Sequence, residues 1–74
     1  MKRDKAALTK QLGERISALR KKRDISVERL ANAVGIAKGN LSDIENGNRD
    51  ARYSTLIAIA EGLGISVSQL LRDL

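Results

Sequence analysis

The chain has 74 residues, with 14 Lys or Arg against 9 Asp or Glu, no histidine, no cysteine, no proline, and Tyr53 as its single aromatic residue. Without cysteine, disulfides and thiolate metal sites are excluded; without histidine, the usual general base and the commonest zinc ligand are missing. The scarcity of rings also argues against binding unpaired bases by stacking.

A chain this short is expected to form one domain over residues 1–74, with a small core. No apolar run approaches the roughly 20 residues of a membrane span. The basic N-terminus lacks the apolar stretch of a secretory signal. The expectation is a soluble cytoplasmic protein with no metal, cofactor or membrane partner. The net charge of +5 is uneven: residues 1–29 hold ten Lys or Arg against four Asp or Glu, residues 30–52 three against three, and residues 53–74 one against two. Such a field suits a polyanion, nucleic acid being the usual one, and equally suits a solvated basic surface that keeps a small protein soluble.

Ala, Leu and Ile dominate the apolar set and β-branched runs are missing, which predicts an all-α chain of five short helices. Residues 1–5 carry no apolar anchor and are expected to fray. Lys2, Arg3 and Lys5 then form either a basic arm able to reach a nucleic-acid groove or, more economically, an uninvolved tail. The first helix is predicted over Ala6–Lys22, with Leu8, Leu12, Ile16 and Leu19 in one stripe. Gly13 inside it costs about 1 kcal/mol of propensity and fits either a close helix contact or a weak first turn. Lys21, Lys22 and Arg23 suit the negative end of the helix dipole.

Asp24 and Ile25 connect to a second helix over Val27–Val34. Ser26 is its N-cap, Glu28 lies in its first turn, and Val27, Leu30, Ala31 and Val34 face inward. Gly35 and Ile36 turn the chain into a third helix, Lys38–Asn46, poorly capped by Ala37 and stopped by Gly47. Residues 48–52 read as a loop. A fourth helix runs from Tyr53 or Ser54 to Gly62, with Leu56, Ile59, Ala60 and Leu63 inward, and ends at Gly64. Ser66 and Gln69 make a capping box for a terminal helix over 66–74, along which Val67, Leu70, Leu71 and Leu74 repeat at helical spacing.

The stretch Val27–Asn46 has the steric pattern of a helix-turn-helix. Small Ala31 suits a helix crossing, and Gly35 suits the left-handed residue of the turn. Leu30, Val34, Ile36, Leu41 and Ile44 supply the inner faces. DNA-binding versions of this motif lay the second of the two helices in the major groove.

With Arg20, Glu45-Asn46-Gly47 and the junction Leu63-Gly64-Ile65-Ser66, the chain resembles the Cro/repressor-type (XRE-like, lambda-repressor-like) helix-turn-helix transcription regulators over about Leu8–Leu71. The resemblance implies a compact five-helix, lambda-repressor-like fold that binds double-stranded DNA, often as a homodimer on a two-fold symmetric operator. It implies that Arg20 pairs with Glu45, and a guanidinium fork can indeed lock a carboxylate across two helices. Bases would be read by Lys38, Gly39, Asn40, Ser42 and Asp43: Lys38 suits guanine O6/N7, Asn40 adenine or a phosphate, and Asp43 cytosine N4. Each is equally an ordinary residue of a polar helix face. Gly39 departs from the polar residue usual there; it admits a close backbone or a thymine methyl and reads no edge by hydrogen bond.

Phosphate contacts are expected from Ser26 and the amides at Val27, where many relatives have glutamine, and from Asn46, Asn48, Arg49 and Arg52. Tyr53 fits either a phosphate contact or a partly buried cap of the fourth helix. Val67, Leu71 and Leu74 are expected to be left over from the core, as a homodimer interface or as the closed base of a monomer. Repression is the expected activity, on an operator with half-sites about one helical turn apart. The alternative is a small protein-interaction or antitoxin-type module on the same helices. No nucleophile–base pair or phosphate-binding glycine loop supports an enzyme.

Overall fold

Residues 4–74 are described by the computed structural model. Among them are five helices and no strand: α1 (Lys5–Lys22), α2 (Val27–Val34), α3 (Lys38–Glu45), α4 (Tyr53–Gly62) and α5 (Val67–Leu70). The all-α, five-helix expectation holds, and most boundaries fall within one residue of the sequence reading.

Two ends differ. α1 starts at Lys5, because Asp4 acts as its N-cap and accepts the Ala7 N–H at 2.7 Å. The expected fraying therefore does not extend to Asp4 and Lys5, and Lys5 pairs with Asp50 at 3.6 Å. Lys2 and Arg3 lie outside the described residues. At the other end the helix expected over 66–74 stops after Leu70. The capping box does form: Ser66 Oγ accepts from Gln69 N–H and Gln69 Oε1 from Ser66 N–H. Arg15 then takes the carbonyls of Leu70 (3.4 Å) and Arg72 (2.7 Å), and Asp73 turns left-handed at φ 63°. Carbonyls bound by a guanidinium no longer need the next helical turn to be satisfied.

Every helix sends apolar side chains to one core. Ile16, Leu30, Leu41, Ile59 and Leu70, one from each, are fully buried, with Ala31, Ile44, Ala60 and Leu63 around them. Burying each large side chain contributes about 1.5–3 kcal/mol. Leu8 leaves the expected stripe and is 41% exposed, because it precedes the point where α1 crosses α3. That crossing is at Gly13, which is buried; a Cβ there would stand 2.5 Å from the Glu45 carbonyl oxygen and closer still to that of Ile44. Of the two readings of Gly13, the close contact is the one observed.

Three helix ends share one device. After α1, Asp24 N–H donates to the Lys21 carbonyl (3.0 Å) and Ile25 N–H to that of Arg20 (3.2 Å), with Asp24 left-handed at φ 56°. The same reciprocal pair closes α3 at Gly47 and α4 at Gly64. Asp24 thus occupies a conformation that an aspartate tolerates better than most side chains.

Candidate nucleic-acid interface

The helix-turn-helix is α2, its left-handed Gly35 (φ 76°) and α3. Ala31 is buried where α2 meets its neighbours, and Leu41 and Ile44 anchor the inner side of α3. Lys38, Gly39 and Asn40 are consequently exposed, while Ser42 and Asp43 are partly buried. Ala37 offers α3 no side-chain cap.

Beyond α3, Asn46 is its C-cap and is exposed, as are Asn48, Arg49 and Arg52. Asn40, Arg49 and Arg52 line one cleft of about 330 Å³ together with Asp50, Ile36 and Thr55. Arg49 also approaches Asp43 at 3.8 Å, with both side chains about half exposed; pairs this open contribute about 0–1 kcal/mol. Arg52 is the N-cap residue of α4 and makes no side-chain cap bond. Tyr53 is 69% exposed, so it is not the partly buried cap of the sequence reading.

At the start of α2, Ser26 Oγ accepts the Arg29 N–H at 3.0 Å, which leaves its hydroxyl hydrogen to point outward. Val27 packs against the core and can offer a phosphate only its backbone N–H.

Arg20 and Glu45 meet as a two-bonded pair. Nε donates to Oε2 at 2.9 Å, Nη2 to Oε1 at 3.0 Å, and Nη1 to the Ile25 carbonyl at 2.9 Å. Their side chains are only 11% and 7% exposed. One guanidinium therefore fastens α1, α3 and the entry to α2, and neither partner belongs to the outward face of α3.

Two further arginines have roles that sequence reasoning missed. Arg15 holds the carbonyls after α5, and Arg23 Nε donates to the Leu63 carbonyl at 2.8 Å. The signal was residue type: the planar, multi-donor guanidinium suits fixed carbonyls, whereas the ammonium favours water. Among the described residues, Lys5, Lys10, Lys21 and Lys22 of α1 and Arg29 of α2 are exposed and carry the positive surface of this segment.

Leu8, Leu12, Leu71 and Leu74 line a separate, largely apolar cleft of about 470 Å³, with Lys5, Thr9 and Asp50 at its rim. Val67 does not line this cleft; like Leu12 it is partly buried against the core, which the terminal segment was not expected to manage for Val67. Among the described residues, no helix is long and apolar enough to cross a membrane.

The model of the helix-turn-helix family HTH_3 matches residues 16–70. The immunity repressor protein of Bacillus phage phi105 is 38% identical over 62 residues, covering 84% of this chain and 43% of that protein. This chain thus spans under half the length of that repressor. The control protein C.MunI of Mycoplasma sp. is 37% identical over 65 residues, covering 86% and 88%. Among solved structures, SinR, a master regulator for biofilm formation in complex with DNA, superposes with a TM-score of 0.77 at 34% identity, covering 81% of this chain and 97% of that one. These relatives are named as a repressor, a control protein and a master regulator. With the match spanning most of the sequence and the same fold in SinR, the chain belongs to the HTH_3 family of helix-turn-helix proteins.

Proposed function

We propose that the chain is a sequence-specific, double-stranded DNA-binding transcriptional regulator. It acts as a repressor that binds a two-fold symmetric operator as a homodimer in the cytoplasm. The observation that carries this reading is the side of α3 turned to solvent: Lys38, Gly39 and Asn40 are exposed, and Asn40 continues into the cleft with Arg49 and Arg52. In this reading α3 enters the major groove. Lys38, Gly39, Asn40, Ser42 and Asp43 meet bases; Ser26, the Val27 amide, Asn46, Asn48, Arg49, Arg52 and Tyr53 grip phosphates on either side. Two relatives support it, one named a repressor and one solved with DNA.

Selection of bound duplexes from a random pool tests the reading, with a palindrome of half-sites about ten base pairs apart expected. Affinity for random duplex is expected to fall about 10³–10⁵-fold between 50 and 200 mM salt if a dimer neutralises about six to ten phosphates. Absence of DNA binding at low salt would instead favour an interaction module.

The leucine cleft is the proposed dimer seam, with Leu8 and Leu12 replacing Val67 beside Leu71 and Leu74. A surface of this kind pairs with itself across a two-fold axis at least cost. Leu71 is 37% exposed, so Leu71→Asp is expected to leave the helical circular-dichroism signal unchanged. Sedimentation should shift toward monomer, and operator binding should weaken at least tenfold. An unchanged association state would count against the seam.

A further inference from the structure

Gly39 stands in the middle of the outward side of α3. At 3.6 residues per turn, the buried Leu41 and Ile44 and the ion-paired Glu45 define one side of this helix. Gly39 falls opposite them, with Asp43 one turn on and Lys38 and Asn40 to its two flanks. Nothing within the fold asks for a glycine there. Its φ is not positive, and a Cβ built on it has no atom within 4 Å. Gly13 differs on this point, since the α3 backbone excludes its side chain. Glycine also weakens a helix, and α3 already lacks a side-chain N-cap. A residue that lowers monomer stability and meets no neighbour finds its use in what approaches it from outside.

We propose that Gly39 is a specificity-determining residue, whose missing side chain lets the α3 backbone seat against the 5-methyl group of a thymine in the major groove. The inference rests on the reading of α3 as the groove-entering helix. The Gly39 surface is a bare Cα set between two longer polar side chains, a notch with no side-chain donor or acceptor. The major-groove group that complements such a notch is the thymine methyl, the one apolar projection on the base edges. Lys38 and Asn40 on the flanks then address the neighbouring pairs by hydrogen bond, and an added methyl group on the protein would collide with the methyl group on the DNA.

The test compares the wild type with Gly39→Ala on the operator recovered by the wild type. Gly39→Ala is expected to raise Tm by about 2–6 °C, as glycine-to-alanine changes at unstrained helical sites do. It is expected to weaken operator binding at least about tenfold, the scale of a lost base contact, with affinity for random duplex held within about twofold. Deoxyuridine in place of thymidine, one position at a time, should weaken wild-type binding about three- to tenfold at one position per half-site, and there should restore part of the affinity lost in Gly39→Ala, because it removes the methyl group that the added Cβ meets. Equal operator affinity of the two proteins overturns the proposal. So does a weakened variant with no thymine whose methyl matters to the wild type. If the wild type binds no duplex at all, the groove-entering reading of α3 fails first, which is a separate and distinguishable result.

Discussion

Gly13→Ala is expected to lower stability by about 2 kcal/mol net, although alanine is the better helix former by about 1 kcal/mol. The added Cβ would enter the space of the Ile44 and Glu45 carbonyl oxygens. These are backbone atoms, so no rotamer change relieves the overlap, and forcing helices apart around an inserted methyl group costs about 1–3 kcal/mol or more. α3 has little room to retreat: Ile44 lies in the core, and its carbonyl accepts the Gly47 N–H that closes the helix. For a domain of this size the change amounts to a Tm lower by about 8–16 °C. Thermal denaturation followed by circular dichroism checks it, and a Tm equal to or above that of the parent would show that α1 and α3 can separate freely.

Glu45→Ala is expected to cost more, about 3–5 kcal/mol, because it leaves the Arg20 guanidinium buried with only the Ile25 carbonyl. That is a large share of the roughly 5–15 kcal/mol that holds a folded domain together, so the variant should unfold well below the parent's Tm. The charge explanation and the size explanation separate in a double variant. Arg20→Met with Glu45→Met removes both charges and keeps apolar volume, and replacements of this kind are often neutral or stabilising. The double variant is therefore expected to regain most of the stability lost in Glu45→Ala. Since neither residue lies on the outward side of α3, it should also keep its DNA affinity. Chemical denaturation of the two variants and the parent measures the non-additivity.

The positions of the five helices were legible because caps, glycines and apolar spacing agreed at nearly every boundary. Ser26 before Val27, Gly35 after Val34, and the Ser66–Gln69 box each carry a local cause that does not depend on the rest of the chain. The pairing of Arg20 with Glu45 was expected from the family resemblance, and its two-bonded geometry fits the chemistry of the fork. What escaped was decided by contacts between distant segments. Nothing near Leu70 announces that the helix stops there; the reason is Arg15, more than fifty positions earlier. Val67 was expected at the surface and instead found room on the core, while Leu8 was expected inside and stayed partly exposed, because periodicity gives the direction of a side chain and not whether a neighbour reaches it. The site was legible as a set of candidates on α3 and the loop after it. Their convergence, with Asn40 sharing a cleft with Arg49 and Arg52 across that loop, required three-dimensional placement.

The division between arginines and lysines along α1 has an evolutionary consequence. Arg15, Arg20 and Arg23 are committed to carbonyls or a carboxylate of the protein itself, whereas Lys10, Lys21 and Lys22 are spread over the exterior. Substitutions among the lysines can retune how strongly the molecule is drawn to a polyanion while its architecture stays intact. Arg15, Arg20 and Arg23 enjoy no such latitude, so drift in this lineage should erase Lys10, Lys21 and Lys22 long before these three arginines.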